Sequence, residues 1–216
     1  MKDAWEDYLI EGSDILKNNL NITDSKLLEK EEKKITLRKL TELQLNPIEG
    51  SFDINHLKDI HKYLFDEIYP FAGEFRTCTL GKTTRSFYDP EMIIDELNKE
   101  LKELNELFEK LSINYKNSTY MDESLLYEYA TILSNAYYQL MTIHPFREGN
   151  GRSVREFLRE FVESKNKYLP FNIELDYSLM DKESALKCVE YKFIYPSMLM
   201  LEFKKALVAR VKEKTK

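Results

Sequence analysis

His144-Pro145-Phe146-Arg147-Glu148-Gly149-Asn150-Gly151-Arg152-Ser153-Val154-Arg155 lies between two stripes of helical apolar spacing, and its reading decides the rest. One stripe ends before it and another begins near Arg152. Glycines flank Asn150, so the backbone can turn tightly and approach a ligand without a Cβ clash. The amides that follow belong to the first turn of the next helix. Such a terminus attracts anions through unpaired N–H groups and the helix dipole, by about 0.3 to 1 kcal/mol per charge at exposed sites. Arg152 and Arg155 are three apart on one helical face, and planar guanidinium groups suit phosphate oxygens. Glu148 would repel phosphates unless a cation lay between them, and Mg²⁺ takes one or two carboxylates plus phosphate oxygens. The neutral imidazole of His144 can accept a proton near neutral pH, a contribution worth roughly 10² to 10⁴ in rate. Each residue alone has a plainer reading: a structural His, a solvated Arg pair, a simple Gly-Asn-Gly turn. Their coincidence within a dozen residues points to chemistry on a phosphate.

Working outward, long segments with apolar residues at i, i+3 and i+4 predict a mainly α fold, since only six Gly and six Pro punctuate the chain. Beyond Asp24, Leu27, Leu28, Ile35, Leu37 and Leu40 mark a first helix, ended by Asn46, Pro47 and Gly50. A second starts behind Asp53 as N-cap and carries Leu57, Ile60, Leu64 and Ile68 on one face. A third runs from Pro90 through Ile93, Leu97, Leu101, Leu104 and Phe108. A fourth covers residues 123–143, with Leu126, Tyr129, Leu133, Ala136, Tyr137 and Leu140 facing inward. Residues 74–87 are rich in Thr and aromatics and broken by Gly81-Lys82, which predicts a short exposed β-hairpin. From Ser184 onward the pattern returns to helix, with Pro196 starting or interrupting one.

At 216 residues and 43% hydrophobic content, one sizeable core is expected. The 38 acidic against 32 basic residues leave a net charge of −6, which argues against a nucleic-acid binder. Cys78 and Cys188 form no CxxC pair, so two reduced thiols are expected rather than a zinc site or disulfide. The amino terminus lacks the pattern of a signal peptide, and no stretch approaches the roughly 18 apolar residues of a membrane span. A cytoplasmic protein that engages no membrane is the expectation.

The motif resembles that of the Fic family, HxFx(D/E)GNGRxxR, at every defined position: His144, Phe146, Glu148, Gly149, Asn150, Gly151, Arg152 and Arg155. The likeness extends upstream through residues 46–77 and to LKNNLNI at 16–22, and thins after about Pro170. It implies a helical core with a β-hairpin flap that docks a target segment beside ATP. The expected layout is an N-terminal arm and helix (1–52), a Fic core (53–170) with flap 74–88 and motif 144–155, and C-terminal helices (171–216). By resemblance, the chain is a protein adenylyltransferase that moves AMP from ATP onto a Ser, Thr or Tyr hydroxyl of a protein, itself included, and releases pyrophosphate. His144 would be the general base and Glu148 would hold Mg²⁺ or Mn²⁺. Asn150 and the glycine amides would cradle the α-phosphate, and Arg152 and Arg155 would hold the leaving pyrophosphate. Phe146 would be buried beneath the loop, while Lys82 and Phe87 on the flap are candidates for target or nucleotide contact. Transfer of UMP or phosphocholine, and a nucleotide-binding interaction protein without turnover, stay open as alternatives.

Many Fic proteins are restrained by a helix carrying (S/T)xxxE(G/N). Ser25 and Glu29 have that spacing, but Lys30 departs from the pattern, and a solvated Glu29 is the competing reading. A pairing of Glu29 with Arg155 would be self-inhibitory. Restraint by a separate small antitoxin is the other expectation, and a homo-oligomer is compatible with the sequence.

Overall fold

The structure is a computed structural model and describes residues 5–82, 85–118, 123–181, 183, 185, 187–188 and 196–211. The chain forms two compact units, one from Met1–Leu97 with Thr142–Glu156, the other from Asn98–Met141 with Phe157–Lys216.

In the first unit, α1 (Ser25–Leu45) starts where the Asp24 carboxylate accepts the Leu27 N–H at 2.8 Å, one of the donors a helix start leaves unpaired. The expected apolar stripe is buried only in part: Leu28 is buried, Leu27 and Leu37 are exposed, and the buried line runs through Leu28, Glu32, Thr36, Lys39 and Leu43. Their spacing of four, four, three and four is a true helical line, whereas the expected leucines straddle two faces. The polar members of that line are satisfied within the unit, as burial requires. Lys39 Nζ donates to the Tyr63 carbonyl at 2.6 Å and to Asp66 at 2.5 Å. The next helix, α2 (Ile54–Phe65), is capped by Asp53, which accepts the His56 N–H at 3.0 Å. Leu57, Ile60 and Leu64, with Ile68 just past its end, are fully buried as expected.

The hairpin is present but shorter than the expected 74–87. Strands β1 (Gly81–Lys82) and β2 (Arg85–Ser86) pair antiparallel, Gly81 with Ser86 and Lys82 with Arg85. Its approach is not exposed, because Arg76, Cys78 and Leu80 are buried. No ladder forms there among the described residues, and the Arg76 guanidinium takes the Cys78 and Tyr88 carbonyls.

Helices α3 (Ile93–Tyr115), α4 (Glu123–Ile143) and α5 (Asn150–Lys165) each contribute to both units. Pro90–Met92 forms a single 3₁₀ turn ahead of α3 rather than its first turn. The apolar positions expected on α3 are buried; on α4, Leu125 takes the fully buried place expected of Leu126. Within the second unit, the Phe108 ring lies 5.5 Å from Tyr129 and 5.6 Å from Phe161, and Tyr137 meets Phe203 at 5.4 Å. Aromatic contacts of this kind carry much of a core's burial.

The tail is helical from Pro196 as expected, but residues 171–216 are not all helix. Pro196 opens α6 (Pro196–Ala206), and the chain then becomes β4 (Leu207–Val211), antiparallel to β3 (Phe171–Leu175) with Phe171 opposite Val211 and Leu175 opposite Leu207. Phe171, Ile173 and Leu175 alternate buried with exposed Asn172 and Glu174, a period of two that a short run hides inside a helical reading. The fold is nonetheless mainly α with a short hairpin. Both cysteines are buried, and neither is in a disulfide. No described helix is long and apolar enough to cross a membrane.

Candidate active site

The motif loop joins α4 to α5 within the first unit and is held by its own side chains. Asn150 accepts the Phe146 N–H and donates to the Phe146 carbonyl, both at 2.8 Å, closing the loop as a backbone pair would. Its side chain is thereby committed, so what Asn150 can offer a ligand is its backbone. Gly149 has φ +79°, and a Cβ there would lie 2.3 Å from Phe65 Cζ, so only glycine fits. Gly151 is different: a Cβ would meet only the flexible end of Arg155, at 3.3 Å. Helix α5 begins at Asn150, two residues before the expected Arg152, and the Gly149 carbonyl receives the Arg152 and Ser153 N–H groups at 3.1 Å. The Asn150 and Gly151 N–H groups find no acceptor among the described residues and remain available to an anion.

Two residues that spacing did not reveal support the loop from α2 and beyond. His61, fully buried, stacks on Phe146 with ring centroids 3.8 Å apart. Its Nδ1 accepts the Gly73 N–H at 2.8 Å, which leaves the proton on Nε2 to donate to the Glu148 carbonyl at 3.0 Å. Burial pushes its pKa down to about 4, outweighing the stabilising carbonyl contact, with Arg152 adding to the fall. Arg76, also buried, donates from Nε to the His144 carbonyl at 2.7 Å. His144 has φ +52°, unusual for a residue with a Cβ, and its ring is stacked on Phe87 at 4.0 Å.

Glu148 keeps one carboxylate oxygen on the Gly149 N–H at 2.9 Å, while its other oxygen is uncommitted among the described residues. The side chain is 42% exposed. Arg152 turns onto α1: it donates to Glu32 at 2.6 Å and to Thr36 at 3.3 Å, lies 3.6 Å from Glu148, and sits over the Phe65 ring at 4.8 Å. Tyr69 donates to the second Glu32 oxygen. Burial first, and Glu32 next, push the Tyr69 phenol well above its usual pKa, so it stays a donor. Arg155 is half-buried with its guanidinium beside Gly151.

The expected inhibitory pair does not reach the motif. Ser25 and Glu29 are exposed, and Glu29 is salt-bridged to Lys33 at 2.5 Å, which lowers its pKa. Glu32, on the buried line of α1, is the glutamate that meets a motif arginine, and that arginine is Arg152 rather than Arg155. Glu29 lies one turn before Glu32 and about 60° around the helix, far enough to sit outside the buried line that carries Glu32. Lys82 pairs through its backbone with Arg85; its side chain lies outside the described residues.

The sequence profile of the Fic/DOC family matches residues 51–162, from just before α2 into α5. The chain belongs to the Fic/DOC family. It is 30% identical over 166 residues to protein adenylyltransferase VbhT of Bartonella schoenbuchensis, an alignment covering 73% of this chain and 31% of that protein. It is 26% identical over 160 residues to the Escherichia coli protein named Probable protein adenylyltransferase Fic, with 74% of each covered. This Fic chain thus spans about a third of VbhT's length and about three quarters of the E. coli protein's. Its fold matches the N-terminal Fic domain of a VirB-translocated Bep effector protein from Bartonella quintana, solved with ADP bound, at a TM-score of 0.75 and 22% identity, covering 95% of this chain and 96% of that one.

Proposed function

We propose that this Fic chain is a nucleotidyltransferase, a protein adenylyltransferase that moves AMP from ATP to a Ser, Thr or Tyr hydroxyl of a protein target, itself included. The observation that carries the reading is that His144 and Glu148 stand on the loop that leads directly into the start of α5, where the two open amides, Arg152 and Arg155 lie. The names of its relatives, and ADP in a protein of the same fold, support the choice of donor.

In this reading the target hydroxyl gives its proton to His144 as its oxygen bonds to the α-phosphorus, and the bond to the β,γ-pyrophosphate breaks. No covalent enzyme intermediate is needed, and catalysis rests on positioning and charge neutralisation. The Asn150 and Gly151 N–H groups face phosphate oxygens at the start of α5, and Arg155 and Arg152 hold the departing pyrophosphate. The residues present fit a divalent cation held jointly with phosphates, since Glu148 is half-exposed with one oxygen uncommitted. Among the described residues no group of three His, Cys, Asp or Glu forms a cage for it, in keeping with the one or two carboxylates Mg²⁺ takes beside phosphates. Bound there, Mg²⁺ or Mn²⁺ would neutralise phosphate charge. The hairpin docks the target segment, with Lys82 among its candidate contacts. Action in the cytoplasm, where ATP is at hand, fits the reading; so does restraint by a separate small inhibitor protein, because Ser25 and Glu29 stand away from the site.

Incubation of the chain and of cell lysate with labelled ATP and Mg²⁺, followed by mass spectrometry, tests it. The expected product is one AMP on a hydroxyl side chain, absent with His144→Ala while ATP affinity is largely kept. Only phosphate-sized or phosphocholine-sized additions, or parallel collapse of ATP binding in His144→Ala, would overturn the assignment.

A further inference from the structure

Arg76 is a buried cation whose guanidinium, among the described residues, takes only carbonyl oxygens: His144 at 2.7 Å, Cys78 at 2.7 Å, Ile143 at 3.3 Å and Tyr88. Its own N–H donates to the Pro145 carbonyl at 2.9 Å. Burial lowers its pKa, yet a guanidinium stays charged in proteins. Cys78 and Tyr88 stand just before β1 and just after β2, so a single side chain clamps both roots of the hairpin to the first carbonyl of the motif. Phe87, beside Tyr88, adds a second link through its ring, which lies 22° from parallel with the His144 imidazole. His144 needs such support: at φ +52° a side-chain-bearing residue persists where its surroundings over-determine it.

We propose that Arg76 and Phe87 are positioning residues for His144, Arg76 through the backbone and Phe87 through the imidazole ring, so that the hairpin and the base move as one. The inference rests on the reading of His144 as general base. It reassigns Phe87 from a target or nucleotide contact to a support for the base. A hairpin that docks the target segment is thereby fixed relative to the group that must meet the target hydroxyl, and a misplacement of about 1 Å in such an arrangement can cost on the order of 100-fold in rate.

The test uses the full chain labelled at histidine, where only three imidazoles need assignment. In the wild type, the His144 ring protons should carry the upfield ring-current shift of a stacked aromatic. Phe87→Leu should lose that shift and lower the transfer rate by about tenfold or more, with ATP affinity within about twofold of wild type. Phe87→Tyr should restore both. Arg76→Lys should lower the rate without weakening ATP binding, since an ammonium cannot reproduce the planar fork. If that variant does not fold, the Phe87 pair still decides. A wild-type shift or rate in Phe87→Leu, failure of Phe87→Tyr to rescue, or ATP affinity falling in step with rate would overturn the proposal. Transfer surviving in His144→Ala would instead sink the base assignment, whatever the ring-current result.

Discussion

Arg152 and Glu32 meet at 2.6 Å although 120 residues separate them, which ties the start of α5 to the buried line of α1. Removing either partner leaves the other charge poorly solvated, so Glu32→Ala and Arg152→Ala should each destabilise the chain by roughly 1–3 kcal/mol. In a double-mutant cycle followed by urea unfolding, the coupling energy should exceed about 0.5 kcal/mol. A cycle that closes to zero would mean the two side chains act independently.

His61 gives stability a pH dependence with a definite sign. Its folded pKa of about 4 lies below the ordinary histidine value of 6.5, so the unfolded chain binds more protons between those limits. Stability is therefore complete above pH 6.5 and is lost as pH falls toward 4. Between pH 7 and 5 the loss should be roughly 2 kcal/mol. His61→Gln can both donate and accept but does not titrate. Its urea midpoint should vary less over that range, and a slope matching wild type would place the titration elsewhere.

The two motif glycines should respond oppositely to alanine. Gly149→Ala drives a Cβ into Phe65 at a positive φ and should cost on the order of 2 kcal/mol or more in thermal or urea unfolding. Gly151→Ala meets only the Arg155 guanidinium and should stay within about 1 kcal/mol of wild type. If transfer nevertheless falls in Gly151→Ala, the space over that residue is used by the nucleotide.

Asn150→Asp is isosteric but keeps only one of the two bonds to Phe146, because its carboxylate would face the Phe146 carbonyl. It should be destabilised by about 1–3 kcal/mol at pH 7, comparably to Asn150→Ala. A neutral effect of Asp in unfolding experiments would show that the loop is closed by other contacts.

The motif was legible because its chemistry is contiguous: His144, Glu148, the glycines and the arginines follow one another, and a loop between two helices brings neighbours together without help. The helices of the apolar stripes were legible for the same local reason. Glu32, His61 and Arg76 were not, since their contacts with Arg152, the Glu148 carbonyl and the His144 carbonyl cross 120, 87 and 68 residues. Spacing carries no information over such distances. The α1 stripe misled because hydrophobicity was counted where the buried line is largely polar. In β3 and β4, five residues are too few for a period of two to stand out from a period of 3.6.

The β3–β4 ladder also has a temporal consequence. β3 leaves the ribosome some thirty residues before its partner β4, and at about 5–20 residues per second that gap lasts a few seconds. Throughout it, Phe171, Ile173 and Leu175 belong to a strand with no mate, the kind of open edge on which nascent chains pair with one another. Slower elongation after β3 has emerged lengthens that exposure, so the yield of folded chain should depend on the pace of translation.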